Sequence, residues 1–254
     1  MREFWEAEHG RIRRGPVPVD SDAHLYALED AFVVRHLEEF KPRSLLDIGC
    51  GNGRRTARLA QHVDGPVLGI DYSPAAIGYA KELEDRQLKF RLGDFETVRN
   101  LGRKFDCVLT CRVLINLAGE DLQVEAIEAA IGRLREGGRL LMMEASRQGE
   151  QNLNRLRRRL RLPPIGSVWH NTLLDERAVL SALKGRARVL ELERFGIYYV
   201  LTRALLPLTK RSPRGPEEAM FEGSVELQEA LEGEADLDVF GRHLAIAAQK
   251  TARS

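Results

Sequence analysis

The chain has 254 residues, 43% of them apolar, a formal net charge of +1 and three cysteines. That length accommodates one sizeable α/β core with added segments, and the near-zero charge supplies no overall basic field of the kind nucleic acid attracts. Cys50, Cys107 and Cys111 suit neither a disulfide framework nor a four-ligand zinc site, so a reducing, cytoplasmic setting without a metal is expected, and no apolar run approaches the roughly 18–20 residues that span a bilayer.

Residues 1–43 precede the first strand and read as an N-terminal cap. Arg11–Asp20 is proline-broken and extended, whereas Leu25, Leu28, Phe32, Val33, Leu37 and Phe40 recur at helical spacing and predict a helix over Ala23–Phe40. Ser44-Leu45-Leu46-Asp47-Ile48 is an apolar run carrying an acid. Gly49-Cys50-Gly51-Asn52-Gly53 follows, and Arg54–Gln61 opens a helix. A strand–loop–helix unit of this kind presents backbone N–H groups to a polar or anionic ligand. A dinucleotide fingerprint would require glycine where Arg54 stands. Val67-Leu68-Gly69-Ile70-Asp71 again ends in an acid, the place from which the second strand of a doubly wound sheet bonds ribose hydroxyls. Asp71 as a plain turn cap is the competing reading. Ser73 and Pro74 supply an N-cap and a first helical residue.

A helix over Ala75–Glu84 and a strand over Leu88–Leu92 come next, the strand ended by Gly93-Asp94-Phe95. Asp94 also reads as the N-cap of a helix over Glu96–Leu101. Phe105–Cys111 is a fourth strand running into Arg112–Leu117, followed by a helix over Asp121–Arg135. Glu136-Gly137-Gly138 reads as that helix's C-cap and turn, and Arg139–Ala145 as a fifth strand with Glu144 near its tip. This alternation predicts a parallel sheet with helices on both faces.

The D-x-G-x-G-x-G run from Asp47 to Gly53 resembles motif I of class I S-adenosylmethionine (SAM) methyltransferases. GIDYSP at 69–74 is similar to that family's ribose-binding segment, and Gly93-Asp94-Phe95 to its adenine-binding turn. The resemblance covers residues 44–145 well and His243–Lys250 loosely. It implies an α/β, doubly wound, Rossmann-like sheet of seven strands with an antiparallel last strand, plus an N-terminal helix and helical insertions forming a lid. It implies SAM as cofactor, with Asp47, Gly49, Cys50, Gly51, Asn52 and Gly53 in the loop, Asp71 and Tyr72 at the ribose, and Gly93, Asp94 and Phe95 at the adenine. Cys111, Arg112 and Asn116 then fall at the transfer site, and Tyr26, Arg13 and Arg14 near the methionine end. The Asn/Asp-Pro-Pro-aromatic motif of amine-methylating members does not follow the fourth strand, which disfavours nucleic-acid bases as acceptors.

Two insertions interrupt the family pattern, at about 146–172 and 197–238. In the first, Leu153, Leu156 and Leu160 share a helical face, and six arginines against Glu150 give +5 over Arg147–Arg161. The run reads either as a solvated face or as a basic flap drawing in a carboxylate or phosphate. A helix over Asp175–Leu183 and a strand over Arg188–Phe195 separate it from the second insertion. There, Glu217–Asp238 carries nine acids and no lysine or arginine, and Met220, Val225, Leu227 and Leu231 suggest a partly amphipathic helix. Opposite charge suggests that the two insertions meet. A hydroxyl acceptor needs a base, and His170, with an ordinary pKa of about 6.5, is the first choice, Tyr198 and Glu144 following. Trp169, Asn171, Tyr199 and Arg147 are candidate substrate contacts; a purely structural His170 is the alternative. The expected activity is SAM-dependent methylation of a small, polar or anionic molecule, on oxygen rather than nitrogen. RNA or protein methylation through the arginine flap, and a non-catalytic SAM-binding partner subunit, are the rival readings.

Overall fold

The computed structural model of the chain describes residues 22–166, 169–210, 215–234 and 236–252; Arg13, Arg14 and the 11–20 stretch lie outside them. Helix α1 (Ala23–Phe40) starts where the Asp22 carboxylate accepts the Leu25 N–H, and it buries Leu25, Phe32, Val33 and Leu37. Strands β1 (Leu45–Ile48) and β2 (Val67–Asp71) flank helix α2 (Arg54–Leu59), and β3 (Leu88–Leu92) follows helix α3 (Pro74–Ala80). Then come α4 (Phe95–Arg99), β4 (Phe105–Cys111), α5 (Glu120–Gly132), β5 (Leu134–Ala145), α6 (Arg147–Arg159), α7 (Glu176–Leu183) and β6 (Ala187–Glu193). Helix α8 (Gly196–Val200), a π turn (Leu201–Leu205), α9 (Leu206–Thr209), α10 (Pro216–Ala230) and β7 (His243–Lys250) complete the order.

The sheet has seven strands in the order β3-β2-β1-β4-β5-β7-β6, with β7 antiparallel to both neighbours. This is the expected fold. Period-two alternation assigns each strand's residues to two cores. Leu45, Cys107, Leu109, Leu141, Met143, Ala245 and Ala247 pack with α1 and with Leu153 and Leu156 of α6. Leu46, Ile48, Val108, Leu140, Met142 and Ile246 pack with Ile127, Ala130 and Ile131 of α5 and Val179 and Leu183 of α7. Strand order reverses between β1 and β4, so the crevice for a ligand opens above their carboxyl ends.

Three local expectations change. Gly137 and Gly138 do not cap α5; they lie within β5, where Phe105 pairs with Leu134 but Cys107 with Arg139, and Gly137 takes φ +72° in the irregular turn of the strand. The helix of the acidic insertion buries Ala219, Gly223, Leu227 and Ala230, leaving Met220 and Val225 exposed. The small residues face inward because α10 lies close on the π turn and α9, with Leu205 and Leu208 against Gly223.

The third concerns the arginine run. Pro207 has no N–H, so the carbonyl of Arg203, four residues earlier, loses its helical donor. The guanidinium of Arg157 reaches that carbonyl from α6, while its Nε donates to the Pro163 carbonyl at 2.8 Å. Arg157 is 7% exposed, so this arginine is a buried tie between the insertions and not part of a solvated face. Asn154 adds a two-way amide clamp to Ile165. The expected meeting of opposite charges is represented by Arg159 and Glu234 at 3.7 Å.

Candidate active site

The glycine loop is shaped by its backbone. Gly49, Gly51 and Gly53 all have positive φ, at +78°, +54° and +76°. A Cβ on Gly49 would lie 2.6 Å from Val113 Cγ2, so Val113, just past Arg112 at the end of β4, rests directly on the loop. A Cβ on Gly51 would meet nothing within 4 Å and would project into open space. Asp71 ties this loop to the next strand: its carboxylate accepts the N–H groups of Gly51 and Ser73, each at 2.9 Å. Asp47 works from beneath. It is 3% exposed and accepts the Thr56 hydroxyl at 2.6 Å, fastening β1 to α2, and burial pushes its pKa up to about 6.

A cavity of about 230 Å³ opens beside the loop. Ile48, Ile70, Phe95, Val113 and Leu117 make its apolar walls, and Gly49, Asp71, Tyr72, Gly93, Asp94 and Asn116 bring polar groups to its rim. Apolar walls with a few convergent polar groups suit a flat heteroaromatic ring carrying a hydroxylated sugar. The open direction at Gly51 leaves room for a ligand against the loop. Asp94 caps α4, as its competing reading had it, and also lines the cavity; the Thr97 backbone N–H holds its carboxyl below the ordinary range.

Beyond the loop, α1 and the tip of β4 meet in a buried charged network. Glu29 is fully buried, and Arg112 donates to it from Nε at 3.2 Å and Nη2 at 3.1 Å. The Arg112 guanidinium also lies 4.3 Å over the Tyr26 ring. Arg55 reaches Asp30 at 2.8 Å and touches the Cys111 thiol, which burial pushes up to about 12, so Cys111 stays protonated. Glu29 and Arg55 were not foreseen. Both look like surface residues in one dimension and become partners only when α1 and α2 share a sheet face.

The predicted acceptor residues divide. His170 is 7% exposed and lies beside the β4 loop, since the neighbouring Thr172 N–H donates to the Ile115 carbonyl at 2.7 Å. Burial lowers its pKa. Trp169 stands edge-on to it and is 76% exposed. Arg147 pairs with Asp175 at 3.4 Å and Glu120 at 3.9 Å. Two candidate bases are placed differently from expectation. Glu144 has no exposure; its oxygens accept the N–H groups of Val113, Leu114 and Ile115, and it anchors the loop against the cavity instead of facing a substrate. The Tyr198 hydroxyl donates to Asp22, pinning α8 to the start of α1.

A family profile described as "methyltransferase domain" matches residues 40–184. The chain belongs to the methyltransferase-domain family. The cavity and glycine loop fit SAM, the group that the sequence resemblance implies. Among solved structures, this methyltransferase shares its fold with the magnesium protoporphyrin IX methyltransferase of Synechocystis PCC 6803 with bound S-adenosylhomocysteine, at TM-score 0.62 and 18% identity over 98% of each chain. It also resembles the N-methyltransferase NodS of Bradyrhizobium japonicum in complex with S-adenosylhomocysteine, at TM-score 0.58 and 16% identity over 99% and 98% of the two chains. The ubiquinone biosynthesis O-methyltransferase of Azorhizobium caulinodans is 32% identical over 33% of this chain and 34% of its own length. That of Coxiella burnetii is 27% identical over 42% and 45%. The methyltransferase thus spans less than half the length of these curated relatives.

Proposed function

We propose that this protein transfers the methyl group of SAM to an oxygen of a small polar or anionic molecule. The observation that carries the cofactor half is the Asp71 carboxylate, held by the Gly51 and Ser73 N–H groups in a cavity that Asp94 and Asn116 also line. Bound there, SAM supplies a methyl group already activated by its sulfonium, so the chain's own task is alignment and exclusion of water. Gly49, Gly51 and Asn52 would present loop backbone and the cavity-lining Tyr72 and Phe95 would pack on the ring, while Arg112 stacks on Tyr26 of α1. The ties from α6 to Pro163 and to the π turn fasten the two insertions to each other, which supports an enclosing lid and with it a small molecule over a macromolecule. Support for oxygen comes from the ubiquinone-pathway relatives. We assign His170, which lies beside the β4 loop and whose pKa burial lowers, the role of taking the acceptor's proton, with Trp169, Asn171 and Tyr199 as substrate contacts.

Calorimetry with SAM and S-adenosylhomocysteine tests the cofactor half, and incubation with labelled SAM and a bacterial metabolite extract tests the acceptor half. The expected results are micromolar binding, a loss of about tenfold or more in Asp71→Ala, and label recovered in a small-molecule fraction. Unchanged binding in Asp71→Ala, or label appearing only in RNA or protein, would overturn the corresponding half.

A further inference from the structure

The residues that helix α5 buries are small or apolar, except for Gln123 at the end of its first turn, which is 2% exposed. An apolar side chain would fill that position without the cost of desolvating an amide, so the amide has a specific use. Its Nε2 carries two hydrogens, and they go to two segments far apart in sequence. One bond reaches the Leu114 carbonyl at 3.2 Å and the other the Thr172 carbonyl at 2.7 Å.

Those carbonyls lie on the two sides of one junction. Leu114–Asn116 forms a short 3₁₀ turn past β4, and Val113, Asn116 and Leu117 of the same stretch line the cavity. Trp169, His170 and Asn171, the residues assigned to the acceptor, immediately precede Thr172. The Thr172 N–H donates to the Ile115 carbonyl at 2.7 Å, which adds a second tie to that of Gln123. Two residues on, the Leu174 N–H donates to the Ala145 carbonyl at 3.0 Å, and Leu174 bridges Ser146 at the end of β5. Glu144 accepts the N–H groups of Val113, Leu114 and Ile115. With its N–H groups held by β5 and two of its carbonyls held by Gln123 and Thr172, the turn has little freedom to move apart from the loop at 169–172.

We propose that Gln123 is a positioning residue that couples the two ligand sites. A cofactor packed on Val113, Asn116 and Leu117 steadies the turn, and the turn, through Gln123 and Thr172, holds the loop that meets the acceptor. The inference rests on the methyltransferase reading and deepens it, since it makes the acceptor pocket depend on the bound cofactor. Coupling of this kind is reciprocal, so an acceptor held by the loop tightens cofactor binding by the same factor.

Hydrogen exchange of the unaltered protein, with and without S-adenosylhomocysteine, reads the junction without an acceptor. The Thr172 and Leu174 N–H groups should exchange at least about fivefold more slowly with S-adenosylhomocysteine bound. Trp169 gives an independent signal: Trp5→Phe leaves it as the one tryptophan of the chain, and its quenching by iodide should fall on binding. Gln123→Met keeps the length of the side chain and loses both donors. The Leu114 carbonyl retains the Leu117 N–H at 3.0 Å, so the turn itself survives the substitution. In this variant S-adenosylhomocysteine affinity should stay within about threefold of the parent, while its effect on exchange and on Trp169 is lost. A Gln123 that only supports the fold would lower the melting temperature of Gln123→Met and leave the response to S-adenosylhomocysteine intact, which would sink the positioning role. Calorimetric binding to the unaltered protein with no change in exchange at Thr172 and Leu174 would overturn the coupling alone, whether or not the variant folds. Absence of binding to the unaltered protein would overturn the methyltransferase reading, and the coupling with it.

Discussion

Gly49 and Gly51, with only Cys50 between them, do different work, and substitution separates them. Gly49→Ala would drive a methyl into Val113 at 2.6 Å and strain φ +78°, so it should cost stability and displace the wall of the cavity. Gly51→Ala meets no protein atom, so its stability cost should be confined to about 1 kcal/mol for the left-handed backbone, while its methyl occupies the ligand's side of the loop. Denaturant midpoints and SAM titrations should show Gly49→Ala worse in stability and Gly51→Ala failing in binding with the smaller stability loss. Equal losses in both variants would contradict that division. Glu144→Gln makes a third contrast. Its amide nitrogen would face one of the three N–H groups that the Glu144 carboxyl oxygens now accept, costing about 1–3 kcal/mol and loosening the Val113–Leu117 wall. A variant as stable as the parent, with unaltered SAM affinity, would show that the loop does not depend on this anchor.

At the scale of the element, the lid is held by a repair. Pro207 interrupts the α8–α9 segment, and Arg157 satisfies the carbonyl thereby exposed. Arg157→Met keeps the aliphatic packing but orphans the Arg203 and Pro163 carbonyls, and should destabilise by about 2–4 kcal/mol in thermal unfolding. Arg158→Met, one residue on and exposed, should change stability by less than about 0.5 kcal/mol. Matching losses would mean that the charge of the helix matters and the specific tie does not.

Across the whole molecule, buried titratable groups set the pH response. Burial raises Glu144 to about 8 and Asp47 to about 6, so the folded chain holds protons that the unfolded chain, with carboxyls near 4, releases. Those two groups make stability fall as pH rises. His36, His170 and His243 are shifted the opposite way by burial, so they remove stability as pH falls through about 6.5. The sets oppose each other below that point. Above it Glu144 acts with the histidines already neutral, and the melting temperature should decline between pH 6.5 and 8.5, approximately the window set by its raised pKa. A melting temperature that climbs over this range would exclude an ionisation cost at Glu144.

The parallel strands, the glycine loop and the acids at Asp71 and Asp94 are legible in residue order alone, because strand period, glycine spacing and strand-tip acids are encoded within a few neighbouring residues. Residue order also placed Leu153, Leu156 and Leu160 on a buried helical face, as the structure shows. It did not determine what the remaining polar side chains touch. Glu144 reads as a strand-tip acid whether it faces a substrate or three backbone N–H groups, and Arg157 reads as one more cation in a run. Tyr199 and His243 are 44 residues apart and meet because β7 returns antiparallel to the carboxyl edge under α8. Pairings of that kind are decided by which strands and helices share a face, and local spacing carries no record of them.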